Sequence, residues 1–286
     1  MNTADQLKEI VRQKYGEIAQ QENAQGVDCG CGPSSPGPSS CCGPADTNAS
    51  YSILMNDEYV SVGGYAADAD LGLGCGLPTQ FAQIKPGDVV VDLGSGAGND
   101  CFVARAETGE TGRVIGLDMT PAMIDRARKN AKTLGYANVE FVYGDIEDMP
   151  LPDTLADVVV SNCVMNLVPD KAKAFAETYR ILKPGGHFSI SDIVLVGELP
   201  AGLQQDAELY AGCVSGAVQQ EEYLRIITEA GFTNVLVQKQ KPINLPHELL
   251  LNYLTENDIQ NYQQDGRGIF SITVFATKFA TKFAEK

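Results

Sequence analysis

The chain contains 286 residues, and 44% of them are hydrophobic, which is enough for a hydrophobic core and excludes an intrinsically disordered chain. Its formal net charge at pH 7 is −16. Because such a charge repels phosphate backbones and anionic lipid surfaces, we expect neither nucleic acid nor a membrane as a partner.

The N-terminal segment predicts an amphipathic helix over residues 1–24, because one helical face collects Leu7, Ile10, Val11, Tyr15 and Ile18. This end lacks the apolar core of a signal peptide, and no apolar run reaches membrane-spanning length. These features predict a cytoplasmic protein. Since cytosolic thiols stay reduced, we expect the eight cysteines to act as ligands, nucleophiles or redox groups rather than as a disulfide framework.

Two glycine-rich segments follow the predicted helix. Residues 26–48 consist largely of glycine, proline and serine, which predicts a flexible loop. This loop contains four of the eight cysteines, Cys29, Cys31, Cys41 and Cys42. Residues 61–78 form the second such segment, with Cys75. We predict three parts: residues 1–60 with the helix and the Cys-rich loop, 61–200 as the core, and 201–286 as a C-terminal segment that completes the sheet.

From residue 89 onward, short apolar strands alternate with helical segments. The predicted strands cover 89–93, 113–118, 139–145, 156–162, 187–195, 234–240 and 268–279. The predicted helices cover 99–107, 121–135, 170–182 and 221–232. This alternation is typical of an α/β protein with a doubly wound, mostly parallel sheet, here preceded by the N-terminal helix and the Cys/Gly-rich loop.

The turn after the first strand, in VVVDLGSGAGND (89–100), is built for close approach of the backbone to a ligand. It contains three alternating glycines, Gly94, Gly96 and Gly98. Their G-x-G-x-G spacing differs from the G-x-G-x-x-G fingerprint of dinucleotide-binding proteins. Asp92 precedes the turn, Asp118 ends the second strand where it can bind ribose hydroxyls, and Asp145 follows the third strand where it can meet an adenine amino group.

Together these elements resemble the class I S-adenosylmethionine-dependent methyltransferases over about residues 85–195. The resemblance implies a Rossmann-like fold with S-adenosyl-L-methionine as the cofactor. It also implies cofactor contacts from ten residues, namely Asp92, Gly94, Ser95, Gly96, Gly98, Asp118, Met119, Asp145, Ile146 and Asn162.

A fold does not identify the methyl acceptor, but the cysteines near the carboxyl edge of the predicted sheet narrow the choice. Cys163 directly follows the fourth strand, Cys75 lies just before the core, and Cys213 lies in the segment after the fifth strand. A cysteine at such a position can instead be a small apolar packing residue. For Cys101 packing is the favoured interpretation, although a helix N-terminus stabilises a thiolate.

Four motifs around these cysteines resemble the arsenite S-adenosylmethionine methyltransferases over about residues 60–235. The motifs are LGLGCGLP, DLGSGAGNDCF, SNCVMNLVPDK and YAGCVSGA. The resemblance implies that Cys163 and Cys213 bind trivalent arsenic, supplied as arsenite or a thiol conjugate. It implies that Cys75 and one N-terminal cysteine assist binding or form a redox disulfide, with thioredoxin or glutathione as reductant. Cys75, Cys163 and Cys213 are thus the candidate catalytic and arsenic-binding residues.

The chemistry agrees with this interpretation. Soft thiolates select soft centres, and thiolate-bound As(III) keeps a lone pair that can attack a sulfonium methyl group. Such a nucleophile carries no proton, so the reaction needs positioning rather than a general base. The chain has only two histidines, His187 within a strand and His247 near the C-terminus. Asp192 could act as a base for a different acceptor.

Two alternatives stay open at the level of sequence. A C- or O-methyltransferase for a small organic acceptor, such as a quinone, sterol or phenol, can use the same cofactor loop with Cys163 and Cys213 as packing residues. A thiol-rich metal-binding or sensing protein can use the C-x-C and C-C pairs of residues 29–42. These pairs match zinc sites poorly, because zinc sites usually contain C-x-x-C.

Overall fold

Seven strands form one sheet in a computed structural model that describes residues 3–20, 59–199, 216–245, 247–256, 258–259 and 266–280. The strands are β1 Val89–Leu93, β2 Arg113–Asp118, β3 Val139–Tyr143, β4 Ala156–Asn162, β5 Leu182–Val196, β6 Phe232–Pro242 and β7 Gly268–Lys278. Their order is β3-β2-β1-β4-β5-β7-β6. Strands β1 to β5 pair in parallel, and β7 runs antiparallel to β5 and β6. The predicted doubly wound, mostly parallel sheet is confirmed.

Seven α-helices lie within the described residues. They are α1 Ala4–Gln20, α2 Pro78–Phe81, α3 Asn99–Thr108, α4 Pro121–Leu134, α5 Lys171–Ile181, α6 Gln220–Glu229 and α7 His247–Leu251. Helix α4 begins at Pro121, whose fixed φ suits the first turn, and ends before Gly135, which adopts the left-handed conformation. Among the helices of the described residues, none combines the length and the apolar character that crossing a membrane requires.

Most predicted elements have the predicted positions, but strand β5 begins earlier than expected. The sequence predicts a helix over 170–182 that stops at the K-P-G-G sequence, and a strand that starts at residue 187. Instead, Leu182 already pairs with Ala156, and the register shifts before His187 pairs with Val158. The extra residues form a bulge that includes Gly185 at a φ of 83°. Strand β3, by contrast, ends at Tyr143 rather than at residue 145.

The central strands are buried on both faces, which explains why β1 is a continuous run of apolar residues. Val91 and Leu93 of β1 pack in one cluster with Phe175 and Phe188. Val90, which points to the other face, packs in a second cluster around Phe102 of α3. A third, smaller cluster includes Cys75 and Cys163, together with Ile193 and Leu195 of β5. The two candidate cysteines that the structure describes therefore meet in one buried region.

Candidate functional site

A cavity of about 1080 Å³, part of it open to solvent, lies at the carboxyl ends of β1 to β4. This is the edge where ligands bind in parallel α/β sheets. Nine of the ten residues predicted to contact the cofactor line its wall: Asp92, Gly94, Ser95, Gly96, Asp118, Met119, Asp145, Ile146 and Asn162.

Asp118 at the end of β2 fixes the glycine-rich turn. Its Oδ2 accepts a hydrogen bond of 3.0 Å from the Gly96 N–H, and its Oδ1 accepts one of 2.8 Å from the Thr120 N–H. Burial raises the pKa of Asp118, and these backbone hydrogen bonds partly oppose that effect. A Cβ atom built on Gly96 meets nothing within 4 Å, so the space above this glycine belongs to the cavity.

Gly98 has a different role from the other two glycines of the turn, because it is absent from the cavity wall. It precedes α3 with a φ of 100°. A Cβ atom at this position lies 2.9 Å from the ring carbons of both Phe102 and Phe141. Gly98 is therefore placed to let the turn pack against two aromatic rings, whereas the sequence analysis expected it to contact the cofactor.

Helix α1 covers the cavity, which the sequence analysis did not predict. Lys8, Val11 and Tyr15 contribute to the wall. Lys8 Nζ lies 2.6 Å from Asp145 Oδ2 and 2.6 Å from Glu147 Oε2. Burial opposes ionisation of Asp145, but the hydrogen bonds from Lys8 and the Glu147 N–H outweigh it and lower the pKa of Asp145. The amphipathic pattern was the available signal, but it does not reveal where the helix docks.

Cys163 connects the cavity to a buried group of thiols. The Sγ atoms of Cys75 and Cys163 and one carboxylate oxygen of Asp192 all lie within 4.8 Å of one another. Of these three residues, only Cys163 also lines the cavity. Its φ of 60° lies in the left-handed region, an uncommon conformation for a residue with a side chain. The Cys163 N–H donates to the Ser191 carbonyl at 2.8 Å, which ties this conformation to β5.

Asn162, predicted as a cofactor contact, also holds the loop that carries Cys75. Its Oδ1 accepts hydrogen bonds from the N–H groups of Cys75 at 3.0 Å and Gly76 at 3.2 Å. Its Nδ2 contacts Tyr59 Oη at 2.6 Å and Asp100 Oδ2 at 3.1 Å. The Tyr59 hydroxyl in turn donates to Asp100 Oδ1 at 2.7 Å. This network joins the Cys75 loop to the start of α3 and the end of β4.

Asp192 of β5 is the acidic member of the thiol group, and its side chain is fully buried. The Tyr223 hydroxyl of α6 donates to Asp192 Oδ2 at 3.0 Å. Burial raises the pKa of Asp192 to about 7, although the Tyr223 hydrogen bond and the charge of Lys171 act in the opposite direction. From the sequence, Asp192 is only a possible base, because its approach to Cys75 depends on the tertiary fold.

Cys101 lies apart from the thiol group, in the core beneath the glycine-rich turn. It is fully buried, and its Sγ contacts Asp92 Oδ2 at 3.2 Å. Burial and the neighbouring Asp92 carboxylate raise the pKa of the Cys101 thiol well above its ordinary value. Any stabilisation of a thiolate by the helix N-terminus is therefore outweighed, and the packing interpretation of Cys101 fits this environment.

The remaining candidate cysteines, Cys213, Cys29, Cys31, Cys41 and Cys42, lie outside the described residues. Gly216 is the first described residue after the gap that contains Cys213. A Cβ atom on Gly216 would lie only 1.7 Å from the backbone oxygen of Asn166, so this glycine packs directly on that carbonyl. Asn166 lies three residues after Cys163 in the chain.

Comparisons with known proteins find methyltransferases, in agreement with a ligand cavity at this edge of the sheet. A family model described as a methyltransferase domain matches residues 84–231. The arsenite methyltransferase of Halobacterium salinarum is 41% identical over 261 residues, which cover 90% of this chain and 64% of that protein. The arsenite methyltransferase of Aquipseudomonas alcaligenes is 33% identical over 87% of this chain and 68% of its own length. The chain thus spans about two thirds of the length of these two curated relatives.

A solved structure of a protein with the same described activity is also similar to this chain. The crystal structure of CrArsM, described as an arsenic (III) S-adenosylmethionine methyltransferase from Chlamydomonas reinhardtii, matches with a TM-score of 0.58 and 29% identity. The match covers 84% of this chain and 76% of that chain. The resemblance stated from the sequence motifs is therefore confirmed, including the S-adenosylmethionine dependence of the family. The chain belongs to the arsenite methyltransferase family.

Proposed function

We propose that this chain transfers a methyl group from S-adenosylmethionine to trivalent arsenic bound by cysteine thiolates. The position of Cys163 is the observation that carries the proposal. Its side chain lines the cofactor cavity and also belongs to the buried group of Cys75 and Asp192. An acceptor bound to Cys163 is therefore held beside the cofactor, which is the arrangement that direct transfer requires.

The residues of the cavity suit S-adenosylmethionine. When bound, this cofactor supplies an electrophilic methyl group on a sulfonium sulfur. Asp118 at the end of β2 lines the cavity beside the glycine-rich turn, and its carboxylate is placed to accept hydrogen bonds from ribose hydroxyls. The buried Ser95 hydroxyl, which has no hydrogen-bond partner among the described residues, is a further polar group in the wall. Lys8 and α1 limit the access of water to the adenine end.

The acceptor side requires soft ligands and no proton transfer. Cys163 with Cys75 or Cys213 binds As(III), because thiolates bind soft centres tightly. The arsenic lone pair forms the new bond to the methyl carbon as the carbon–sulfur bond breaks. His187 is not available as a base, since its Nε2 lies 2.6 Å from the Ala82 carbonyl oxygen. His247 contacts Glu256 on the exposed surface. The absence of a histidine base therefore does not impair this reaction.

Methyl transfer formally oxidises arsenic from the trivalent to the pentavalent state. Arsenic must therefore gain two electrons before it can accept another methyl group. We include cysteine thiols as the donors in the proposal: two thiols form a disulfide, which thioredoxin or glutathione then reduces. None of the three cysteines within the described residues is in a disulfide. A reducing cytosolic environment suits such thiols.

The proposal is tested by measuring S-adenosylhomocysteine formation by the purified protein with S-adenosylmethionine and glutathione, with and without arsenite. We expect arsenite-dependent turnover that falls by about 100-fold or more in Cys163→Ser, because the acceptor is no longer held in place. Cofactor binding, measured by equilibrium dialysis, should persist in this variant. Cys101→Ser is the matched control, since Cys101 is an equally buried cysteine outside the thiol group. Equal activity of both variants would refute the proposal.

A further inference from the structure

The wall of the cofactor cavity is strongly acidic. Among the described residues, five carboxylates contribute to it, namely Asp70, Asp92, Asp100, Asp118 and Asp145. Lys8 is the one basic residue of this described wall. Because Lys8 Nζ lies 2.6 Å from Asp145 Oδ2 and 2.6 Å from Glu147 Oε2, its charge is engaged at the adenine end. The acidic group of Asp70, Asp92 and Asp100 therefore leaves an excess of negative charge in the rest of the wall.

The three carboxylates of the acidic group act on one another. Asp100, at the start of α3, accepts hydrogen bonds from the Tyr59 hydroxyl at 2.7 Å and from Asn162 Nδ2 at 3.1 Å. Burial nevertheless raises the pKa of Asp100 to about 6, and the charge of Asp70 adds to this effect. Burial and the charge of Asp100 raise the pKa of Asp92 well above its ordinary value. A positive charge bound beside this group would therefore be stabilised.

The acidic group lies on the side of the cavity that remains for the sulfonium of the cofactor. The proposed function assigns the ribose and the adenine to carboxylates at the ends of β2 and β3, which leaves the amino-acid part with the sulfonium. Asn162, which binds Asp100, directly precedes Cys163, and both line the cavity. The buried Ser95 hydroxyl in the same wall has no partner among the described residues, as is expected of a wall that binds a ligand.

The cofactor and its by-product differ in charge at the sulfur atom. S-adenosylmethionine carries a positive sulfonium, whereas S-adenosylhomocysteine, which remains after the methyl group has left, has a neutral thioether at this place. Both molecules have the same ammonium, carboxylate, ribose and adenine groups. A wall with excess negative charge attracts the sulfonium through a charge–charge interaction that the thioether cannot make.

We propose that Asp70, Asp92 and Asp100 are specificity residues that make the cavity bind the cationic S-adenosylmethionine more tightly than S-adenosylhomocysteine. The inference rests on the cofactor of the proposed function and is independent of the methyl acceptor. It means that loss of the sulfonium charge during methyl transfer weakens the hold on the by-product. The preference should grow as the pH rises through about 6, because the cation favours the ionised form of Asp100 and binding then releases its proton.

Isothermal titration calorimetry of the full chain with each of the two ligands, without arsenite, tests the inference. At pH 8 we expect the Kd for S-adenosylhomocysteine to exceed that for S-adenosylmethionine by about tenfold or more, the effect of a unit charge a few Å away in a protein. At pH 5 this ratio should be several-fold smaller. Asp100→Asn should lower the ratio at pH 8 and weaken its dependence on pH. A wild-type ratio close to one, or an unchanged ratio in Asp100→Asn, would overturn the inference.

Two further variants separate the local charge from other effects. Asp70→Asn removes a neighbouring charge and keeps the contacts of Asp100 with Tyr59 and Asn162, so it gives the answer if Asp100→Asn does not fold. It should lower the ratio at pH 8 by a smaller factor. Asp153→Asn is the control, because it changes the net charge equally at an exposed site outside the described cavity wall. An equal decrease in Asp153→Asn would overturn the inference, whereas a wild-type protein that binds neither ligand would overturn the proposed function.

Discussion

The Asn162 side-chain oxygen accepts a hydrogen bond of 3.0 Å from the backbone N–H of Cys75. The residue that ends β4 therefore fixes the position of a thiol that comes from a distant loop. Cys163, the residue after Asn162, lies in the same buried group as Cys75. One short stretch of chain thus supplies one thiol and positions the other, which explains how two cysteines far apart in sequence are brought together.

Replacing Asn162 with alanine should displace the Cys75 loop. The change removes hydrogen bonds to Cys75, Gly76, Tyr59 and Asp100, and we expect a loss of about 1 to 3 kcal/mol in the free energy of unfolding. Arsenite binding, measured by equilibrium dialysis, should weaken by about tenfold or more, because the two thiols are no longer held together.

Asn138→Ala is the matched control for this variant. Asn138 also ties a loop through its amide, with hydrogen bonds to Gly109, Gly112 and Arg105, but it lies away from the thiol group. It should lose comparable stability and bind arsenite normally. If both variants lose the same amount of arsenite affinity, Asn162 affects binding only through overall stability.

The two glycines Gly96 and Gly98 should respond differently to alanine. Gly98→Ala places a methyl group against two aromatic rings at a φ of 100°, and we expect a loss of about 3 kcal/mol in the free energy of unfolding. Gly96→Ala points its methyl group into the cavity, so it should cost about 1 kcal/mol in stability and weaken S-adenosylmethionine binding by about tenfold or more. Urea denaturation and equilibrium dialysis measure both effects, and a stable Gly98→Ala protein with a purely cofactor-binding defect would contradict this assignment.

Removing the Lys8 charge should loosen the helix over the cavity. Lys8→Met breaks two ion pairs, to Asp145 and Glu147, in a partly buried place. We expect the Kd for S-adenosylmethionine to rise by about 3- to 10-fold, as measured by isothermal titration calorimetry. Arg225→Met serves as the control, because it breaks two exposed pairs with Glu222 and Glu229 on the outer side of α6. Equal affinity of the Lys8→Met and wild-type proteins would show that α1 does not contribute to cofactor binding.

Asp100 should make the stability of the protein depend on pH. Loss of solvation raises the pKa of Asp100 from its ordinary value of 3.8 to about 6, and the hydrogen bonds from Tyr59 and Asn162 only partly oppose this. Between pH 4 and pH 6 the folded state keeps a proton that the unfolded state releases, so the free energy of unfolding falls as the pH rises through this window.

The Asp100→Asn variant isolates this contribution. As the pH rises through the same window, the free energy of unfolding should fall by up to about 3 kcal/mol more for the wild-type protein than for the variant. This value follows from about 1.36 kcal/mol for each unit of pKa shift. Asp192 and other groups that Asp100 does not influence stay in both proteins and cancel in the comparison. Burial and the Asp100 charge raise the pKa of Asp92, so a change at Asp92 belongs to the measured difference. Urea denaturation at pH 4, 5 and 6 measures the difference, and parallel stability curves would mean that Asp100 has a normal pKa.

Local patterns are sufficient to predict the sheet and to name many of the residues that line the cavity. The run of valines before Gly94 identifies β1, and the acids that end or follow the next strands, Asp118 and Asp145, lie where parallel strands place them. Cys163 was identified for the same reason, since it directly follows β4. The predicted boundaries at residues 60 and 200 stay predictions.

Features that depend on long-range packing could not be read from the sequence. Asp192 reaches Cys75 because β5 pairs with β7, whose Ser271 hydroxyl donates to the Cys75 carbonyl. The amphipathic pattern of α1 gives no docking partner, and Ile10 of its predicted apolar face is in fact exposed. The difference between Gly96 and Gly98 likewise depends on the rings of Phe102 and Phe141, which belong to other elements.

The most direct test of the central claim is to identify the product of the reaction. The purified protein is incubated with arsenite, glutathione and S-adenosylmethionine labelled with deuterium in its methyl group, and the arsenicals are separated by chromatography with mass detection. We predict arsenic compounds that carry the labelled methyl group, and none from the Cys163→Ser protein. Unmethylated arsenic from a protein that binds S-adenosylmethionine, with the label instead on a small organic acceptor such as a quinone, would contradict the account.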